Sequence, residues 1–224
     1  MKAYSPYSGT EETCIVEGKS GFHYPGVRIE NISFPLTISA VQAAVCSCLA
    51  NNDIPIKLYQ ELPESELKQY WLEQFNLNAS NSLPQNPNWF DPVLDKNINV
   101  IDTLEKLCSK SVTIHSDFPV TALLETENGF VPGANVEVSA WSLGLCAERV
   151  AVVRAISAGL GDFKTMHIYA PKGLFSSPCG ACRQVLAEHM PDKPVELHHK
   201  KDSLTRHLTN HLLPYEFVTK SLNK

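Results

Sequence analysis

Cys146, Cys179 and Cys182 restrict this chain more than any other feature of its 224 residues. Cys179 and Cys182 form a C-x-x-C pair directly after Pro178, and Cys146 stands alone two residues before Glu148. Both places read as helix starts. Ala147 to Ala158 is rich in helix formers and is closed by Gly159. The second run opens with Pro178, suited to a first turn, and continues through Arg183-Gln184-Val185-Leu186-Ala187. A helix N-terminus carries partial positive charge, which favours an anionic sulfur. Three thiolates leave the fourth tetrahedral position of Zn²⁺ to water, the catalytic rather than the structural arrangement. Glu148 would stand beside that water without binding the metal. A lone C-x-x-C is commonly a structural half-site or a redox pair; Cys146, Glu148 and Pro178 in order favour catalysis.

The pattern is that of the zinc nucleobase deaminases, with Cys in place of His. The segments C-A-E-R-V-A and S-P-C-G-A-C-R-Q-V-L-A-E-H resemble those of the cytidine deaminase family. So do Gly133-Ala134-Asn135-Val136-Glu137 and Leu212-Leu213-Pro214-Tyr215-Glu216-Phe217, and the likeness runs from about Asn97 to Leu222. The resemblance implies Zn²⁺ on Cys146, Cys179 and Cys182 and hydrolytic deamination of cytidine and 2′-deoxycytidine. It implies that Glu148 shuttles the proton between water, ring N3 and the leaving ammonia. Asn135 and Glu137 would hold the ribose 3′-hydroxyl, Phe118 and Phe217 would meet the pyrimidine, and Ala147 would offer backbone groups to the base. Arg149 would donate hydrogen bonds to a ligand sulfur, with Arg183 as a weaker candidate. The sequence departs from the family where Ile114-His115-Ser116 replaces P-Y-S, where Val138 replaces Asn and where Trp141 replaces Tyr.

The stretch from Gly26 to Gln42 repeats Gly133–Arg149 at low identity. Glu30 matches Glu137, but Ser39 matches Cys146, Val41 matches Glu148 and Arg28 matches Asn135. The expected architecture is therefore α/β, two cytidine-deaminase-like domains, each a mixed β-sheet flanked by helices. Residues 1–76 would form a degenerate domain, 77–96 a linker rich in Asn, Ser and Pro, and 97–224 the catalytic domain. Pro6-Tyr7-Ser8 survives in the degenerate half, so Tyr7 or Phe34 is expected at the rim of a catalytic site.

Strands are expected at Thr13–Val16, Gly21–Tyr24, Ile54–Gln60, Phe118–Leu124, Gly129–Pro132, Thr165–Ala170 and Pro194–His198. Helices are expected at Ile38–Ala50, apolar nearly all round, at Ser65–Phe75 and at Asn99–Lys110.

The formal net charge is −5, with Lys and Arg dispersed. A polynucleotide partner needs a basic track, so a small-molecule nucleoside is the expected substrate and no nucleic acid is expected. No long apolar run or leader pattern is present, so neither a membrane span nor secretion is expected. The remaining cysteines show no disulfide spacing, which points to a reducing, cytoplasmic setting. His198-His199, with His207 and His211 downstream, suggest an additional metal site, and His207 and His211 share a helix face if that segment is helical; no carboxylate or thiol completes a ligand set, so a surface pair is the preferred reading. Two halves per chain suggest a homodimer. Two rival readings are a polynucleotide cytosine deaminase and a non-enzymatic zinc-stabilised interaction protein.

Overall fold

The computed structural model describes residues 1–59, 66–200 and 203–217. The expected element ends at Gln60 and Ser65, and the likeness at Leu222, lie outside the described residues.

The first half runs β1 (Thr13–Gly18), β2 (His23–Val27), α1 (Ala40–Leu49), β3 (Pro55–Tyr59), α2 (Glu66–Phe75) and β4 (Asn78–Ser80). Its sheet has the order β2-β1-β3-β4, with only β3 and β4 parallel. The second half runs α3 (Val100–Leu107), β5 (Thr121–Glu125), β6 (Phe130–Ala134), α4 (Ala147–Ser157), β7 (Met166–Tyr169), α5 (Gly180–His189), β8 (Pro194–His198), β9 (Leu204–Leu208) and the single turn α6 (Thr209–Leu212). Its sheet has the order β6-β5-β7-β8-β9, with β7 and β8 parallel and the other pairs antiparallel. Both sheets are mixed and flanked by helices, as expected.

The internal repeat is reproduced in detail. β1 pairs β2 from Thr13↔Val27 onward, and β5 pairs β6 from the equivalent Thr121↔Ala134. In each half a glycine of the second strand lies under the following helix. A Cβ on Gly26 would stand 2.1 Å from the Ala40 carbonyl oxygen, and one on Gly133 would stand 2.0 Å from that of Ala147. Only glycine permits so close a strand–helix approach. The loop hydrogen bonds repeat as well. Glu30 accepts from the backbone N–H groups of Tyr7 and Ser8 and from the Ser8 hydroxyl. Glu137 accepts the same set from His115 and Ser116.

One core cluster spans the two halves. α1 is buried from Ala40 to Cys48, as its apolar surface requires, and packs with Val136, Leu145, Val150 and Val153 of the second half. Cys46 and Cys48 fill this core, as their spacing suggested. Two hydrogen bonds cross between repeat-equivalent positions. Gln42 Nε2 donates to the Leu143 carbonyl at 2.9 Å, and Arg149 Nη2 donates to the Leu36 carbonyl at 3.2 Å. Gln42 and Arg149 correspond to each other, and so do Leu36 and Leu143, so the contact is isologous within one chain.

The stretch read as a linker is more engaged than its composition suggests. β4 lies within it, and Asn88 to Phe90 runs along the edge of β2 through the Asn88 carbonyl and the Phe90 N–H, both bonded to His23. Leu94 then bridges to Phe130 at the edge of β6. The segment thus straps the outer edges of both sheets. β9 was not foreseen. Its sequence L-T-R-H-L is largely exposed and shows no buried face that would mark it as a strand. His207 lies on that strand and His211 on α6, so they do not share a helix. No helix among the described residues is long and apolar enough to cross a membrane.

Candidate active site

Two helices of the second half begin at the same place. Cys146 is the N-cap of α4, Cys179 is the N-cap of α5, and Cys182 lies in the first turn of α5. The three sulfurs lie within 4.8 Å of one another, and those of Cys146 and Cys179 are 3.6 Å apart. Tetrahedral Zn²⁺ with bonds of about 2.3 Å to sulfur has S–S edges of roughly 3.8 Å. The three thiolates therefore fit zinc.

Glu148 follows in the first turn of α4, 3% exposed. Its Oε2 is buried and has no hydrogen-bond partner. Burial pushes its carboxyl up to about 7, and proximity to Cys179 acts in the same direction. A carboxyl titrating near neutrality takes and returns a proton at little cost.

Arg183 proves to be a positioning residue for the ligand loop rather than an outward-pointing cation. Its Nε donates to the Pro178 carbonyl, Nη2 to the Ser177 hydroxyl and Nη1 to the Leu212 carbonyl. One guanidinium thus ties the turn before Cys179 to the start of the Leu212–Phe217 segment. Arg149, expected at a sulfur, donates instead to the Leu36 carbonyl, and its buried Nε has no partner.

Asn135 and Glu137 form the wall next to Cys146. With Val136, Trp141, Gly144 and Leu145 they line a cleft of about 180 Å³. Asn135 Oδ1 accepts from the Val120 N–H at 2.8 Å, and its Nδ2 donates to the Phe118 carbonyl at 3.0 Å. These bonds set the backbone at Phe118, whose ring is 38% exposed. Glu137 holds the loop through His115 and Ser116, and those hydrogen bonds bring its carboxyl below the usual range despite partial burial. Ala147 is fully buried, and Phe217 is 49% exposed, its carbonyl accepting from Gln184 Nε2. Phe118 and Phe217 are therefore surface aromatics rather than core.

Tyr7 is placed differently from the expectation. Its hydroxyl donates to Glu188 Oε1 at 2.8 Å, beside that of Tyr4, while Glu188 Oε2 accepts from the Ile32 N–H. Glu188 lies in the last turn of α5, some six residues beyond Cys182, or about 9 Å along the helix. Tyr7 thus braces the first half against α5 of its own chain. Sequence reading missed Glu188 because a glutamate near a helix end ordinarily faces solvent. Phe34, by contrast, is 84% exposed on the short helical turn equivalent to that of Trp141, itself 65% exposed.

Comparison with known proteins agrees with this geometry. Residues 95–196 match the family model for the cytidine and deoxycytidylate deaminase zinc-binding region. The cytidine deaminase of Sporosarcina psychrophila is 40% identical over 111 residues, which cover 49% of this chain and 82% of that protein. The chain belongs to the cytidine deaminase family. The cytidine deaminase of Halalkalibacterium halodurans is 36% identical over 111 residues, covering 49% of this chain and 84% of the relative. The crystal structure of cytidine deaminase from Burkholderia pseudomallei superposes with a TM-score of 0.50 at 33% identity, covering 53% of this chain and 96% of that one. Zinc is thus the family's metal, and the cysteine cluster is a candidate place for it.

Proposed function

We propose that the chain deaminates cytidine and 2′-deoxycytidine hydrolytically to uridine and 2′-deoxyuridine, releasing ammonia, as a step of pyrimidine salvage. The observation that carries this reading is a buried Glu148 carboxyl with an unpartnered Oε2, next to three thiols at two converging helix starts. Cys146, Cys179 and Cys182 would hold zinc, which when bound would supply an acidified water at the base. Glu148 takes one proton of that water at Oε2 and delivers it to ring N3, then takes the remaining hydroxyl proton from C4 and donates it to the leaving amine. The backbone of Ala147 orients the base. Asn135 and Glu137 each retain acceptor capacity beyond their loop hydrogen bonds, which suits a ribose 3′-hydroxyl. Phe118 and Phe217 sandwich the pyrimidine. Arg149 acts through packing between the halves, with its unpartnered Nε as the group nearest to a role at sulfur.

In this reading residues 1–76 are a silent deaminase-like domain, 77–96 connect it, and 97–224 are catalytic. Ser39 in place of Cys146, and Val41 in place of Glu148, remove both ligand and proton carrier from the first half. The Ser39 hydroxyl instead caps α1 through the Gln42 N–H. The expected partner is a second copy. The cleft of about 180 Å³ is small for a nucleoside, since ligand sites are commonly about 300 Å³ or larger. Phe34, Trp141 and Phe217 stand exposed as material for an isologous contact that would complete it. Phe34→Ala should then raise KM for cytidine and shift the protein toward monomer in sedimentation; unchanged values in both would discard the homodimer. Seven free thiols, three of them at the site, agree with a reducing cytoplasm.

The zinc-loaded protein should consume cytidine and 2′-deoxycytidine, followed by loss of ultraviolet absorbance, and leave cytosines in single-stranded DNA and RNA intact. Inertness on both nucleosides with turnover of a single strand would replace this reading with the polynucleotide one. Inertness on all would leave a zinc-stabilised interaction protein.

A further inference from the structure

A second cluster of metal-binding side chains lies on the other face of the five-stranded sheet. β7 and β8 run parallel with His167 opposite Glu196 and Tyr169 opposite His198. Side chains alternate along a strand, so Glu196 and His198 share a face, and His167 joins them. Their neighbours Met166, Ile168, Val195 and Leu197 point the other way, into the core under α4 and α5. His167 Nδ1 is 3.2 Å from Glu196 Oε2 and 3.3 Å from His198 Nε2, and the three donor atoms all lie within 4.8 Å of one another.

These spacings fit a shared cation. Zn²⁺ with nitrogen and oxygen ligands at 2.0–2.1 Å has tetrahedral edges of roughly 3.3–3.4 Å. His167 Nδ1 faces both a carboxylate oxygen and a ring nitrogen at hydrogen-bond distance. His167 is more than nine-tenths buried, and its Nε2 has no hydrogen-bond partner among the described residues. The surroundings are built. Arg206 Nε lies 3.5 Å from Glu196 Oε1, leaving Oε2 to the cluster. The Ser176 hydroxyl donates to the His198 carbonyl and accepts from the Ala170 N–H, fixing the ends of β7 and β8 together.

We propose that His167, Glu196 and His198 form a second site for a divalent transition cation of the zinc class, independent of the cysteines, that clips β7 to β8. Two imidazoles and one carboxylate suit zinc, nickel or copper better than magnesium or calcium. Three protein ligands leave a coordination position to water. This site is separate from the deaminase centre, and its existence does not depend on the proposed reaction.

The test counts metal in the full chain, expressed without a polyhistidine tag and equilibrated with micromolar Zn²⁺. Wild type should hold about two zinc ions per chain, and His198→Ala and Glu196→Gln about one. His211→Ala, altering an exposed histidine of α6, should keep both. With cobalt, the second equivalent should add visible ligand-field absorption without the thiolate charge-transfer band of the cysteine site. Loss of that band alone would indict the cysteine reading and leave this one standing. Excess zinc should raise the Tm of wild type by more than that of His198→Ala, whose deamination rate should be unchanged. Wild type and His198→Ala saturating at the same number of zinc ions would overturn the proposal.

Discussion

Glu148→Gln should reduce cytidine turnover by about 10²–10⁴-fold with zinc content unchanged. The amide keeps the shape of the carboxyl but cannot take a proton from water or return one to the base. The position magnifies the effect. Glu148 is buried, its Oε2 has no partner that could relay a proton in its place, and its neighbours Ala147 and Val150 are apolar. Folding should not suffer, because the substitution removes an ionisable group whose burial is already unfavourable to its charge. Metal analysis and the ultraviolet assay on one preparation separate the possibilities. A zinc-loaded variant within tenfold of wild type would mean that another group moves the proton, and the role of Glu148 would be lost.

The largest effect on stability is expected at Arg154, away from the chemistry. Its guanidinium is buried between the halves. Nη1 donates to the Pro132 carbonyl of β6, Nη2 to the Ser47 carbonyl of α1, and Nε to the Ser47 hydroxyl, while Phe90 covers the cation with its ring centroid 5.2 Å away. Burial lowers its affinity for the proton to about 10, which still leaves it charged at neutral pH. Arg154→Ala orphans two buried carbonyls and opens a cavity. Each unsatisfied buried group costs about 1–3 kcal/mol, so a loss near 3 kcal/mol is expected in urea unfolding. A midpoint that does not move would show that apolar packing alone holds the halves together. Arg154→Met should lose less, since a flexible apolar chain fills the space without burying a charge.

The parts legible in the sequence were those where one residue type does one thing. Three cysteines and a glutamate at two helix starts can meet only if the helices converge, and they do. The repeat was legible from matched positions such as Glu30 and Glu137, and the glycines that open the two stretches, Gly26 and Gly133, each let a helix carbonyl approach closely. The edge strands β4 and β9 were hidden because short, exposed segments bury too little to show a period. Partners set by the meeting of the two halves were hidden for a different reason. Arg149 at Leu36 and Tyr7 at Glu188 depend on how α1 and α5 are placed by packing, which no local pattern records. His167, Glu196 and His198 are likewise joined only by the parallel register of β7 and β8.

The reciprocal contact between the halves has a genetic consequence. In a dimer of identical subunits, any substitution on the twofold axis is made twice, and both copies must tolerate it. Here the equivalent positions are encoded separately, so each can change alone. Gln42 and Arg149 reach matching carbonyls from opposite sides, yet one is neutral and the other charged. The cation stands next to Glu148 and the amide next to Val41, the residue that replaced it. Linking the repeats in one polypeptide thus lets the contact be lopsided, with the charged donor on the side that carries the cysteine cluster.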